Sequence, residues 1–189
     1  PATGGGTASV DIDNDGWKDV AATNPGTDNV TVWRNNGEFR ISTTDFTAQP
    51  VIAVGDNPGR IYEGDLDVDG KMDLMLYYGT GTSSTMITVL HNKSTSGNIA
   101  FNRVDYTIPG AATVAHISDL DGDGKPEIIV TSESTDQFFI LKNTSTPGTI
   151  NASSFATPFA TAVNNPRGLS SGDLNADGKP EIIITSQPN

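Results

Sequence analysis

Hydrophobic and polar positions along the chain fall into short blocks that are typical of β-strands. Purely apolar runs, as at residues 74–76 and 128–130, indicate strands that are covered on both faces, because both sides of the pleat carry apolar side chains. Each run is followed by a segment in which apolar and polar residues alternate, as at residues 86–91, and alternation indicates a strand with one buried face. No segment shows a convincing helical period. The pattern therefore predicts an all-β fold.

An aspartate-rich pattern of nine residues recurs at a constant spacing. Its copies begin at Asp11, Asp65, Asp119 and Asp173, each 54 residues after the previous one. A constant period with variable sequence between the copies indicates a structural unit of fixed size. Each complete unit holds a short segment before the pattern, the apolar run, the alternating segment and a fourth segment that starts at a phenylalanine. The fourth segments start at Phe46, Phe101 and Phe155.

Four strands in each unit of this length match the blade of a β-propeller, whose second strand lies between the sheets of its neighbours. We therefore expect a β-propeller-like array of four-stranded antiparallel blades, with about three and a half repeats of 54 residues. The predicted boundaries are residues 1–57 for blade 1, whose strands begin near Gly4, residues 58–110 for blade 2 and residues 111–165 for blade 3. Residues 166–189 then supply the first two strands of a partial blade 4.

The recurring pattern reads Asp-x-Asp/Asn-x-Asp-Gly-x-x-Asp/Glu, which parallels the first half of an EF-hand loop. Alternate side chains of such a loop converge on one point, the glycine permits a sharp turn, and the residue after it offers its backbone carbonyl. Oxygen-only ligands favour Ca²⁺ over zinc or copper, so we expect about four Ca²⁺ ions, one in each loop. The predicted carbonyl ligands are Trp17, Lys71, Lys125 and Lys179. The predicted side-chain ligands are Asp11, Asp13, Asp15 and Asp19, then Asp65, Asp67, Asp69 and Asp73, then Asp119, Asp121, Asp123 and Glu127, and finally Asp173, Asn175, Asp177 and Glu181.

The charge of the chain agrees with bound cations. Acidic residues number 23 against 11 basic ones, and the formal net charge is −12. Fifteen of the acidic residues lie in the four loops, so four Ca²⁺ ions would bring the charge to −4. The excess of acid argues against nucleic acid or an anionic membrane as a partner. Plain Asp-Gly turns with solvated charges are the alternative; one loop alone would allow it, but four loops in register argue against it.

The loops and their flanks, such as residues 64–70 (GDLDVDG) and 172–178 (GDLNADG), resemble the FG-GAP or VCBS repeat family, relatives of the calcium-binding blades of integrin α subunits. The resemblance covers essentially the whole chain. It implies a β-propeller with calcium between the first and second strands of each blade, in extracellular modules that serve adhesion, carbohydrate binding or as non-catalytic parts of secreted enzymes. The Phe-Gly and Gly-Ala-Pro ends of the integrin-type motif are absent, which indicates the broader bacterial form of the repeat.

Little else in the sequence points to catalysis. The chain has no cysteine and two histidines, His91 and His116, and every strong cluster of acids is explained as metal ligation, so we expect no enzyme. Packing is favoured over sugar stacking for Trp17 and Trp33. The tyrosines, likewise, are assigned to packing between strands. Four Asn-x-Ser/Thr sequons are interpreted as turn chemistry, at Asn29, Asn92, Asn143 and Asn151.

The sequence thus predicts a secreted or cell-surface module, non-enzymatic and made rigid by calcium, with a structural, adhesive or self-assembling role. A lectin-like carbohydrate-binding module, attached to a secreted polysaccharide-degrading enzyme, is the alternative, and it makes glycans a candidate partner. No apolar run reaches the roughly 18 residues of a membrane span, so we expect no membrane insertion. The fourth loop is expected to bind calcium most weakly, because Asn175 replaces a carboxylate.

The partial fourth blade leads to an expectation about partners. Its second strand, near residues 180–186, would expose an unpaired edge, and the side chains of Ile182 and Ile184 would lack a covering sheet. We therefore expect other copies of the chain, or the rest of a longer propeller, to supply the missing strands.

Overall fold

In a computed structural model that describes residues 5–38, 44–81 and 84–187, the chain forms four antiparallel sheets that follow one another in sequence. The first sheet contains β1 (Thr7–Val10), β2 (Asp19–Asn24), β3 (Asn29–Asn35) and β4 (Phe46–Ala48), with β5 (Ile52–Ala53) paired farther along β3. The second contains β6 (Pro58–Gly64), β7 (Asp73–Tyr78), β8 (Met86–Asn92) and β9 (Phe101–Thr107).

The third sheet contains β10 (Val114–Ser118), β11 (Glu127–Ser132), β12 (Gln137–Leu141) and β13 (Phe159–Ala162), and the fourth contains β14 (Pro166–Gly172) and β15 (Glu181–Ser186). The all-β class and the four-stranded antiparallel unit are thus confirmed. Within the described ranges the only helical segment is one turn of 3₁₀-helix, Glu133–Thr135, so no helix there is long and apolar enough to cross a membrane. The predicted start near Gly4 and the two ends of the chain lie outside the described residues.

The register between the third and fourth segments repeats from sheet to sheet. An asparagine at the end of the third segment pairs with a phenylalanine in each case: Asn35 with Phe46, Asn92 with Phe101, and Asn143 with Phe155. Phe155, however, forms only an isolated bridge, and the strand β13 begins at Phe159. Pro158 lies in the interruption, where it has no backbone N–H to donate to a ladder.

The sheets pack on one another in chain order through their first strands. Strands β1 and β2 contact β6, β6 contacts β10, and β10 and β11 contact β14. Between the sheets lie two apolar clusters that meet on opposite faces of β7: Leu74 and Leu76 pack against the first sheet, whereas Met75 and Tyr77 pack toward the third. Every residue of β7 and of β11 is buried, as the apolar runs predicted.

The two end sheets differ because each packs against only one described neighbour. Strand β2 alternates between buried and half-buried residues, and β15 has no fully buried residue. Ile183 is 40% exposed, whereas Ile182 and Ile184, which we expected to be uncovered, are half-buried. The expectation had the wrong face, because residues in the positions of Ile182 and Ile184 point toward the preceding sheet and only the residue between them points away from it.

Replacing Phe139 by alanine tests the packing between the second and third sheets. Phe139 is fully buried in the cluster between them, so we expect Phe139→Ala to lower the free energy of unfolding by about 3–5 kcal/mol in urea denaturation. Phe159→Ala is the control, since that ring is 66% exposed and its loss should change stability by about 0.5 kcal/mol or less. Equal losses in the two variants would contradict this packing.

Candidate metal-binding loops

The four aspartate-rich loops join the first and second strands of the four sheets, at the positions the sequence predicts. In each loop the first aspartate organises the backbone, because its carboxylate accepts a hydrogen bond from the glycine N–H five residues later. The N···O distances are 2.8 or 2.9 Å in all four loops. These glycines have φ between +84° and +94°, a left-handed conformation that favours glycine. They are Gly16, Gly70, Gly124 and Gly178.

In the first three loops the last carboxylate connects the loop to the third segment of its own sheet. In the second loop the oxygens of Asp73 accept hydrogen bonds from the backbone N–H groups of Leu66, at 3.0 Å, and Asn92, at 2.7 Å. Asp19 and Glu127 make the equivalent pair of bonds in their sheets. Burial raises the pKa of Asp73 to about 7. The last carboxylate therefore holds the loop backbone against the third segment, in addition to the ligand role that the sequence predicts for it.

Carboxylates converge in three of the four loops, where three acidic residues place oxygen atoms within 4.8 Å of one another. The groups are Asp11 with Asp13 and Asp15, Asp65 with Asp67 and Asp73, and Asp119 with Asp121 and Glu127. In the described part of the chain the fourth loop forms no such group of acids. There the amide nitrogen of Asn175 donates to Asp177 at 3.1 Å and to Glu181 at 2.9 Å. The amide thus bridges the two carboxylates in the place that the prediction gives to a metal ion.

The residues predicted to offer carbonyl ligands have other visible contacts. Each donates its backbone N–H to the aspartate two residues before it, with N···O distances of 2.9 Å. The ammonium groups of Lys71 and Lys125 donate to the carbonyls of Ser94 and Ser145, each at 2.8 Å, in the turns that follow β8 and β12 of their own sheets. A ligand role for the carbonyls of Trp17, Lys71, Lys125 and Lys179 stays a prediction.

A basic residue near the end of each third segment contacts the second aspartate of the loop, which the sequence argument missed. The Nε and Nη2 atoms of Arg34 lie 2.6 Å from oxygens of Asp13 and Asp15. Burial by itself would raise the pKa of Asp13, but hydrogen bonds from Arg34 and Gly97 hold it below its ordinary value. In the third sheet the ammonium group of Lys142 pairs with Asp121.

The signal for these pairs was present in the sequence. Each basic residue directly precedes the asparagine that ends the third segment, and the three dipeptides are Arg34-Asn35, His91-Asn92 and Lys142-Asn143.

The second loop departs from this scheme because its basic partner is a histidine. Asp67 is fully buried, and neither of its side-chain oxygens accepts a hydrogen bond. The Nε2 atom of His91 lies 3.0 Å from Asp67 Oδ2, the distance of an ion pair when the imidazole is protonated, but this nitrogen makes no hydrogen bond either. Burial raises the pKa of Asp67 and lowers that of His91. A buried carboxylate without a donor is costly unless a cation compensates it, so Asp67 fits a bound metal ion.

The asparagines at the ends of the third segments connect successive loops. The amide nitrogen of Asn92 donates to the carbonyl of Ile12 at 2.8 Å, and that of Asn143 donates to the carbonyl of Leu66 at 2.7 Å. Ile12 and Leu66 each belong to the loop of the preceding sheet. We call these contacts the asparagine latches. Each latch makes the geometry of one loop depend on the sheet that follows it.

The latches also explain two of the four sequons. Asn92 and Asn143 are buried, and their amide oxygens accept hydrogen bonds from the backbone N–H groups of Ser94 and Ser145, at 2.8 and 2.9 Å. The serine of each sequon therefore closes a turn around the asparagine, which confirms the turn interpretation at these two positions. Asn151 makes the same bond to Ser153 on the surface.

The remaining candidate side chains take part in packing. The rings of Tyr62 and Tyr77 stack with a centroid distance of 6.4 Å, and Tyr106 meets Phe155 edge to face at 5.1 Å, as expected for the tyrosines. Both tryptophans are half-buried, and a Cβ atom at Gly37 would lie 2.6 Å from the indole nitrogen of Trp17. His116 lies in the third sheet, where its Nε2 atom is 3.0 Å from the hydroxyl of Ser171.

Removing one latch should weaken the array. The amide of Asn143 also donates to the carbonyl of Pro126 at 2.9 Å. Asn143→Ala removes this donor from both carbonyls, and that of Leu66 then keeps only the hydroxyl of Ser145, at 3.1 Å. We expect a loss of about 2–4 kcal/mol in the free energy of unfolding, measured by urea denaturation. Asn151→Ala, which removes an exposed turn asparagine, is the matched control and should cost about 1 kcal/mol or less. A neutral Asn143→Ala variant would show that the latch does not couple the sheets.

A family model described as an FG-GAP-like repeat matches residues 11–76 and 119–184. Each match begins at the first aspartate of one loop and ends within the second strand of the next sheet, so it spans one full period and the following loop. Comparison with curated proteins gives no match. Because the two matched segments together cover more than half of its residues, the chain belongs to the FG-GAP-like repeat family.

Proposed function

We propose that the chain is a calcium-stabilised, non-enzymatic repeat module of the β-propeller type that works outside the cell. Each loop binds one Ca²⁺ ion through its aspartate and glutamate oxygens, and the ion supplies the positive charge that the clustered carboxylates require. FG-GAP-like repeats are typical of extracellular proteins, and millimolar calcium outside the cell suits loops of this kind. The packing of each sheet on the next through its first strand supports a propeller arrangement.

One observation carries this proposal: the fully buried Asp67 carboxylate has no hydrogen-bond donor. In addition, carboxylate oxygens of Asp65 and Asp73 lie within 4.8 Å of an Asp67 oxygen. Three carboxylates so close together repel one another strongly unless a cation lies among them. In the first and third loops Arg34 and Lys142 already compensate part of the charge. We therefore assign the largest calcium dependence to the second loop.

The outward face of the fourth sheet supports a structural or adhesive role. Ile183 is 40% exposed there, whereas Met75 and Ile129, its equivalents in the second and third sheets, are 0% exposed. In those sheets the next blade covers the equivalent residue. The face that contains Ile183 therefore suits a further blade of the same kind, supplied by the same polypeptide or by a second copy.

Removal of calcium tests the first part of the proposal. Wild-type protein in millimolar Ca²⁺ should melt at a higher temperature than in EDTA, because each site at a hundredfold excess over its Kd adds about 2.7 kcal/mol. Asp67→Asn should lose a share of this gain. In EDTA the same variant should be at least as stable as wild type, since it removes a buried charge that accepts no hydrogen bond.

The control for this experiment is Glu63→Gln, which makes the same change of charge at an exposed residue of β6. It should leave the difference between the calcium and EDTA melts unchanged. Identical wild-type melts in calcium and in EDTA would contradict the proposal, as would a full calcium response in Asp67→Asn.

Placing a charge on the outward face of the fourth sheet tests association. In calcium, light scattering of the wild-type chain should give a mass that rises with concentration above that of one copy, and Ile183→Lys should reduce the rise because it puts an ammonium group into the contact. Phe159→Lys adds the same charge at a 66% exposed residue of the third sheet and should have no such effect. A wild-type mass equal to one copy at every concentration would contradict association between copies.

A further inference from the structure

The three described third segments place different basic groups beside the second aspartate of their loops. Arg34 and Lys142 bring permanent positive charges to Asp13 and Asp121. At the equivalent position of the second sheet His91 brings an imidazole, which is neutral or charged near physiological pH and which has a nitrogen lone pair in its neutral form. The second loop alone of these three therefore offers a nitrogen ligand.

The geometry around His91 brings this nitrogen together with two carboxylates. His91 Nε2 lies 3.0 Å from Asp67 Oδ2, and ligand atoms of Asp67, Asp69 and His91 all lie within 4.8 Å of one another. The nitrogen and both Asp67 oxygens are buried and make no hydrogen bond. Two ligand atoms that bind one metal ion at about 2.0–2.2 Å lie roughly 3 Å apart, which is the separation of this pair.

The corresponding pair in the first sheet shows the same carboxylate position with its hydrogen bonds satisfied. There Asp13 Oδ2 accepts hydrogen bonds from Arg34 at 2.6 Å and from the backbone N–H of Gly97 at 2.8 Å. Asp67 has neither kind of donor. A hydrogen-bonded histidine–aspartate pair would place a hydrogen on the line between the two atoms, whereas neither His91 Nε2 nor the Asp67 oxygens make a hydrogen bond.

We propose that Asp67, Asp69 and His91 form a mixed nitrogen and oxygen site for a divalent cation of the Zn²⁺ and Co²⁺ class. Imidazole nitrogen is a good ligand for such ions, whereas sites made only of oxygen suit Ca²⁺ and Mg²⁺. The site extends the proposed function of the second loop, because it shares Asp67 with the calcium group of Asp65, Asp67 and Asp73. This loop can thus hold an ion of either class, and the loops with Arg34 and Lys142 are restricted to oxygen ligands.

Cobalt provides a direct test, since Co²⁺ in a four-coordinate or distorted protein site absorbs visible light far more strongly than hydrated Co²⁺ does. The full chain is stripped with EDTA, returned to millimolar Ca²⁺ and titrated with CoCl₂ while the visible spectrum is recorded. We expect the wild-type spectrum to saturate at a single equivalent of Co²⁺, and Zn²⁺ to abolish the signal by displacement.

Two variants of His91 separate ligation from folding. His91→Gln removes the nitrogen ligand, and His91→Lys converts the pair into the ammonium–carboxylate type that Lys142 and Asp121 form in the third sheet. Both should weaken Co²⁺ binding by about 100-fold or more, since even loss of a supporting residue costs 10–100-fold. His91→Lys should fold in EDTA at least as well as wild type. His116→Gln, which removes the other histidine, should leave the cobalt spectrum unchanged.

The outcomes distinguish this site from the calcium proposal. A cobalt spectrum that is absent from wild type, or unchanged in both His91 variants, would overturn the mixed site even if calcium raises the melting temperature as proposed. A cobalt spectrum that depends on His91, in a protein whose melt does not respond to calcium, would support this site and contradict the proposed calcium function.

Discussion

Compensation of buried carboxylate charge is the constraint on which the rest of this structure depends. Several of the loop acids, among them Asp13, Asp67 and Asp73, are buried where water cannot solvate them fully. The first carboxylate is satisfied by backbone N–H groups and the last by the loop and the third segment, as at Asp73. The second is satisfied by a basic side chain at Asp13 and Asp121. At Asp67 this compensation is missing, and the proposals for both calcium and a second class of ion arise at that point.

The loops and the packed sheets are structurally coupled. The asparagine latches connect Asn92 and Asn143 to carbonyls of the preceding loops, and the strands beside them, β7 and β11, are buried on both faces. A change of charge in one loop therefore affects the stability of the sheet that follows it. Such nearest-neighbour coupling is the usual source of stability in repeat proteins, where each unit alone buries too little surface.

Much of this architecture could be predicted from the sequence, because it depends on contacts between residues that are close along the chain. The constant period of 54 residues placed the loops, the Asp-to-glycine spacing set their turns, and the apolar runs identified the strands that lie between sheets. One failure had a local cause, since Pro158 interrupts the segment after Phe155. The other did not, because the side on which Ile182 and Ile184 lie is set by packing against the preceding sheet.

The sequence by itself determined the repeat, the all-β class, the family and the set of acidic residues in each loop. Only the tertiary structure decided which partners those acids have, because Arg34 meets Asp13, and His91 meets Asp67, across more than twenty residues of chain. Whether a carboxylate is compensated depends on burial and on the angles at its neighbours, and neither quantity is encoded by spacing alone. For this reason four loops that look nearly equivalent in sequence are chemically different in the folded protein.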